Sequence, residues 1–222
     1  MSAPLAPKPR RKEWPWWGHL VVAILVVALL QGFVVRVARI PSGSMERTLM
    51  PGQFIAIDRL SPLWDPVSDG DVVVFEADEN WLGEPKPRID GALSAARWVL
   101  GVLGFGSGLE HLIVKRIIAE GGQKVGCCDA EGRVTVDNLP LDEPYVFEDF
   151  DFVPIELDCR NGSTRCFGPI TVPKGELFVL GDHRSRSADS SLACRGNTEA
   201  DCARFVRRED VVGRVLGVAK GG

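Results

Sequence analysis

The chain has 222 residues, 45% hydrophobic and 25% charged, enough apolar material for one domain of fair size or two small ones. Its 26 Lys and Arg against 30 Asp and Glu leave a net charge of −4, and residues 39–222 alone hold 21 basic and 29 acidic residues, a net −8. With no basic excess to meet phosphates, that part is excluded as a nucleic-acid-binding domain.

Residues 1–13 are Pro-rich and basic, with Lys8, Arg10, Arg11 and Lys12 against Glu13, and read as a cytoplasmic tail. Leu20 to Leu30 is an unbroken apolar run, and the apolar stretch widens to about 20 residues, the length that spans a bilayer as a helix. Residues 14–38 are therefore predicted to be a transmembrane anchor, with Trp14, Trp16 and Trp17 as an interfacial belt. A cleaved secretory signal is the competing reading. The stretch ends in Arg36-Val37-Ala38-Arg39 rather than in a small-x-small site, which favours a retained anchor. Residues 39–222 then lie on the extracytoplasmic side.

From Ile40 onward the pattern is short β-rich runs with Gly and Pro punctuation. Phe54–Ile57, Val72–Phe75, His111–Ala119, Gly132–Asp137, Leu177–Leu180 and Val211–Val218 read as strands, which makes the fold mainly β and antiparallel. Within it, about 76–110 reads as an insertion and about 120–172 as a cap region. Gly91 to Leu109 is apolar and Gly-rich. It fits either a short helix lying on the membrane surface through Trp98, Leu100 and Phe105, or a buried hairpin.

All six cysteines fall beyond the anchor, and an even count there points to disulfides. Cys159 with Cys166, and Cys194 with Cys202, would each close a short loop; Cys127 and Cys128 are adjacent and either bridge each other or pair elsewhere. The C-x6-C and C-x7-C spacings do not match structural zinc sites, and no metal or organic cofactor is implied.

His19 lies beside the apolar run, which leaves His111 and His183 for a Ser-His-Asp triad, and His183 directly follows Asp182, a poor geometry for that Asp to orient it. There is no G-x-S-x-G elbow. The informative stretch is Ile40-Pro41-Ser42-Gly43-Ser44-Met45, where Gly43 permits a sharp turn and Pro41 fixes the chain entering it. Alone this is weak, since S-G-S is common in loops. Seventy-one positions on, Lys115 stands inside an apolar β run. A lysine at its reference pKa of about 10.4 is no base at neutral pH. Burial disfavours the ammonium form, and a neutral amine can take the proton of a serine. The plain alternative is a Lys115 or Arg116 pointing to solvent from an edge strand.

Four blocks stand in order: P-S-G-S-M-x-x-T-L from Pro41, G-D-V-V-V-F from Gly70, V-K-R-I-I-A-E-G-G from Val114 and G-D-H-R-S-R-S-A-D-S from Gly181. Together, over Ile40 to Ser190 and behind a basic tail and apolar span, they resemble the type I signal peptidases of bacteria, also called leader peptidases. The resemblance implies a membrane-bound serine endopeptidase that removes signal peptides from exported preproteins, cutting after small residues of the Ala-x-Ala type. It implies an antiparallel β fold with a β cap, held at the bacterial plasma membrane by one N-terminal helix, with the catalytic domain outside and the export channel nearby. Ser44 would be the nucleophile and Lys115 the general base. The Ser42 hydroxyl and the Ser44 N–H would form the oxyanion hole. Ser187 would orient the Lys115 amine, with Asp182, Arg184 and Asp189 supporting. Ile40, Pro41, Met45, Leu49 and Val114 would contribute to shallow substrate pockets, and Val72, Val73 and Val74 to a groove that takes the substrate by strand addition. The chain departs from the family at Arg47, commonly Pro, and at His183, Ser185, Arg186 and Ser191, which replace Asn, Asp, Asn and Arg. The lost charge pair leaves Asp189 to meet Arg184 or Arg186, and His183 reads as a loop residue rather than a catalyst. Two other classes are weighed. A self-cleaving repressor with Ser–Lys chemistry needs a DNA-binding domain that is not seen, and a non-catalytic disulfide-stabilised binding domain on a membrane stalk would place no demand on Ser44 or Lys115.

Overall fold

The computed structural model describes residues 15–30, 34–83, 112–152, 163–196 and 201–219. The described elements run α1 (Trp16–Leu29), β1 (Val35–Arg39), β2 (Phe54–Asp58), β3 (Val72–Glu76), α2 (Glu79–Leu82), β4 (Leu112–Glu120), β5 (Lys124–Cys127), β6 (Val134–Val136), β7 (Leu139–Pro140), β8 (Phe167–Thr171), β9 (Glu176–Leu180), β10 (Val206–Arg207) and β11 (Val211–Ala219). Among the described residues the strands form two antiparallel sheets. One is seven-stranded, ordered β1-β2-β11-β3-β4-β9-β10, and the other four-stranded, ordered β7-β6-β5-β8.

β4 is the hinge of this architecture. It sits between β3 and β9 and runs straight into β5 of the second sheet through Gly121-Gly122. Glycine is required there: a Cβ on Gly121 would lie 2.7 Å from the Pro173 carbonyl oxygen, and Gly122 has φ +102°. Ile118 and Ala119 at the end of β4 share one core with Val125, Val134, Phe167, Ile170, Phe178 and Leu180 from both sheets. A second cluster holds Val73, Phe75, Trp81, Ile117 and Val179. A third packs Ile40, Met45 and Leu49 from the segment after β1 onto Ile55, Ile57 and Val74. Each such side chain stabilises by about 1.5–3 kcal/mol on burial, and this third cluster fixes the loop that carries Ser44.

The N-terminal expectation needs correction. Of the anchor predicted over 14–38, the structure describes a 14-residue helix, Trp16–Leu29. Among the described residues no helix is long and apolar enough to cross a membrane. Val35–Arg39 is instead a strand, paired with β2 from Val35 opposite Asp58 to Arg39 opposite Phe54. The pairing decides it: Val35 and Val37 are β-branched and suit a strand, and all five residues find partners on β2. The tail 1–13, Trp14 and the Gly91–Leu109 stretch lie outside the described residues.

Cys127 is bonded to Cys128, and Cys194 to Cys202. Cys166 is also disulfide-bonded; Cys159, to which the sequence joined it, lies outside the described residues. Among the described residues no group of three or more His, Cys, Asp or Glu could hold a metal ion.

Candidate active site

Ser44 lies in the turn after β1, which is stapled by N–H groups of Glu46 to the Gly43 carbonyl (3.1 Å) and of Leu49 to the Met45 carbonyl (2.7 Å). Met45 and Leu49 are buried anchors on either side of the turn. From the other direction β4 delivers Lys115, whose Nζ is 2.7 Å from Ser44 Oγ. Only 8% of Ser44 and 3% of Lys115 is exposed, so the alternative of a solvent-facing edge lysine fails: β4 is a central strand. Burial lowers the Lys115 amine to about 8, against the opposing pull of the Asp189 and Asp182 carboxylates. A substantial neutral fraction at neutral-to-alkaline pH, next to a hydroxyl, is what proton abstraction requires. Ser42 Oγ lies 3.4 Å from Ser44 Oγ, close to the same reaction volume.

The rest of the predicted set divides. Asp182 is buried and takes a two-pronged grip from Arg116, Nε to Oδ1 at 2.9 Å and Nη2 to Oδ2 at 2.6 Å, while the Thr48 hydroxyl donates to the same carboxylate. Arg116 also stacks its guanidinium on Tyr145, 3.9 Å from the ring centre. Asp189 does not meet Arg184 or Arg186. Its carboxylate accepts from Arg195 (3.2 and 3.3 Å), from the Gly181 N–H (3.2 Å) and from the Ser191 hydroxyl (2.8 Å). Arg184 turns instead to Glu143 (2.5 Å) and to the Gly181 carbonyl (3.0 Å). Ser187, assigned to orient Lys115, is buried, but among the described residues its hydroxyl has no hydrogen-bond partner. It packs on Gly181, where a Cβ would fall 2.3 Å from Ser187 Oγ and 2.5 Å from the Ser44 carbonyl oxygen. Among the pocket candidates, Ile40, Met45, Leu49, Val74, Val72 and Val114 gather in one cluster under the Ser44 turn. Val73 does not join them; it packs in the other cluster with Phe75, Trp81 and Ile117, as strand alternation demands. Pro41 is exposed at the entry to the turn.

Sequence reasoning missed Arg116, Glu143, Arg195, Gly181 and Glu46. Only Arg116 and Gly181 carried a signal, being part of the V-K-R and G-D blocks; Glu143 and Arg195 are reached only through the fold.

The arrangement defines a class of site in which a buried amine, rather than an imidazole, faces a serine hydroxyl across an antiparallel β scaffold. The chain belongs to the family described as signal peptidase, peptidase S26, whose model matches residues 13–219. The signal peptidase I of Mycobacterium tuberculosis is 38% identical over 183 residues, covering 78% of this chain and 60% of that protein. A "Probable signal peptidase I" of Mycobacterium leprae is 35% identical over 199 residues, covering 85% of this chain and 66% of that protein. The chain thus spans 60% to 66% of the length of these relatives. A solved signal peptidase I from Enterococcus faecalis aligns with a TM-score of 0.35 at 20% identity over 69% of this chain and 97% of that chain.

Proposed function

We propose that the chain is a serine endopeptidase that removes N-terminal signal peptides from secretory preproteins, with Ser44 as nucleophile and Lys115 as general base. The observation that carries this reading is the 2.7 Å contact between a buried lysine amine and a buried serine hydroxyl, in a chain that belongs to the signal peptidase family. The neutral Lys115 amine takes the Ser44 proton as Oγ attacks the scissile carbonyl carbon. The oxyanion is met by the Ser44 N–H and the Ser42 hydroxyl, which act where charge develops. The tetrahedral species collapses, the C–N bond breaks and the Lys115 ammonium returns its proton to the departing amine. Water, deprotonated by the same amine, then hydrolyses the acyl-enzyme ester and frees Ser44. Small residues before the cut are taken against the apolar cluster under the Ser44 turn, where the partly buried Val72 and Val114 edge the buried Ile40, Met45, Leu49 and Val74. No metal or organic cofactor takes part.

The reading includes the bilayer. The helix Trp16–Leu29 turns apolar side chains outward on every side, with Leu20, Val21, Val22, Ile24 and Leu25 all exposed, and a helix apolar all round belongs in protein or lipid rather than water. The apolar stretch of the sequence to which this helix belongs anchors the chain, basic end in the cytoplasm and catalytic domain extracytoplasmic, close to where preproteins leave the export channel. The bonded cysteines suit that oxidising side.

The test is cleavage of a preprotein in detergent by wild type, Ser44→Ala and Lys115→Ala. Both variants are expected to lose cleavage; activity equal to wild type in both sinks the mechanism. Retention of the chain in membranes through carbonate washing is the companion measurement for the anchor.

A further inference from the structure

Beside Ser44 lies a buried imidazole that the mechanism does not use. His183 is 2% exposed and approaches the S-G-S turn at two points. Its backbone N–H donates to the Ser44 carbonyl at 3.1 Å. Its ring Nδ1 donates to Glu46 Oε2 at 2.7 Å, since a carboxylate can only accept. Glu46 in turn sits on the turn itself: a Cβ on Gly43 would lie 2.6 Å from Glu46 Oε1, so the carboxylate occupies the space left by the missing side chain. The far side of the ring makes no stronger commitment. Among the described residues Nε2 has no hydrogen-bond partner, with Glu148 Oε1 at 3.5 Å, and the Phe147 ring stands edge-on at 5.2 Å between centroids.

A buried pair of this kind is weak evidence for stability, because desolvation offsets its attraction. Its geometry accounts for something else. The Ser44 side chain must stay within reach of Lys115, and a misplacement of about 1 Å can cost roughly 100-fold in rate. We propose that His183 and Glu46 are positioning residues for the Ser44–Lys115 pair: together they clamp the backbone of the turn so that Ser44 Oγ stays aimed at the amine. Neither touches the reacting atoms. The proposal rests on the catalytic reading of Ser44 and Lys115.

The test is steady-state cleavage of a signal-sequence peptide by the full chain in detergent. His183→Ala and Glu46→Ala are each expected to lower kcat roughly 10- to 100-fold with KM held within about twofold, as for a contact that matters to the chemical step. The double variant should fall no further than the worse single one, because the two side chains act as one unit. His183→Asn, whose amide nitrogen can stand where Nδ1 stands, should return most of the lost kcat; a merely structural deficit would show as a lowered Tm without that recovery. Wild-type kcat in either alanine variant, losses that multiply in the double variant, or no recovery with asparagine overturns the proposal. Should His183→Ala fail to fold, Glu46→Ala alone and combined with His183→Asn carries the same comparison: asparagine should make no difference once Glu46 is gone. Ser44→Ala in the same assay separates the two readings, since cleavage by that variant would remove the catalytic assignment itself.

Discussion

At the scale of single residues the decisive quantity is the protonation of Lys115. Its amine is held at about 8 in the folded chain, below the ordinary 10.5, because burial penalises the ammonium. Activity should therefore fall on acidification through about pH 8 as the base is protonated, with the slope of one proton; a profile flat down to pH 6 would exclude a lysine base. The same group sets a stability signature. Below pH 8 both folded and unfolded chains carry the proton, and the folded state bears the full cost of a buried ammonium. Between about 8 and 10.5 the folded chain sheds the proton while the unfolded chain keeps it, so the unfolded state binds more protons and stability rises with pH. The gap corresponds to on the order of 3 kcal/mol. Lys115→Met is thus expected to be more stable than wild type in urea at pH 7 by an amount of that order, with the advantage shrinking toward pH 10.5. An advantage independent of pH would show that the amine does not titrate in this window.

At the scale of elements, β4 and the loop after β9 are locked by the Arg116–Asp182 pair, with only 11% and 1% of the two side chains exposed. Removing one partner leaves the other buried and uncompensated, which typically costs 3–5 kcal/mol. Arg116→Met should therefore lower unfolding free energy by about 3 kcal/mol, and adding Asp182→Asn should recover part of it; an additive further loss would mean the two do not act as a pair. The same scale shows what the amino-acid pattern could and could not convey. Alternating or β-branched runs placed β2, β3, β4, β9 and β11 to within a residue or two, because each strand's burial is written in its own spacing. The last turn of the predicted anchor became part of β1, since a short run such as Val35-Arg36-Val37-Ala38 fits a helix or a strand until a pairing partner decides. Ser44 and Lys115 were reachable as local motifs, whereas the partners of Asp189 and Arg184 were not. Arg195 and Glu143 stand in segments with no spacing signal: Arg195 turns back on Asp189 from six residues on, and Glu143 reaches Arg184 from 41 residues before it.

At the scale of the whole molecule, strands β5, β6 and β8 share one core with β4, β9 and the fully buried Cys194, and Cys202 packs against it. The Cys194–Cys202 bond closes a loop of eight residues' separation, and chain-entropy arguments put the stabilisation of so short a loop at roughly 2–3 kcal/mol. Its larger effect is on the site. Arg195 follows Cys194 directly and bonds Asp189, the Ser191 hydroxyl (3.0 Å) and the Arg184 carbonyl (2.8 Å). Asp189 in turn receives the N–H of Gly181, the residue on which Ser187 and the Ser44 carbonyl converge. A line of contacts therefore runs from the disulfide to the nucleophile turn. Replacing Cys194 and Cys202 together by alanine should lower the urea midpoint by an amount matching about 2–3 kcal/mol and also reduce peptide cleavage. Arg195→Ala should reduce cleavage while the disulfide stays formed, as judged by thiol titration. If the cysteine variant loses stability but both variants cleave as well as wild type, the disulfide braces the fold alone and Arg195 does not transmit its order to Ser44.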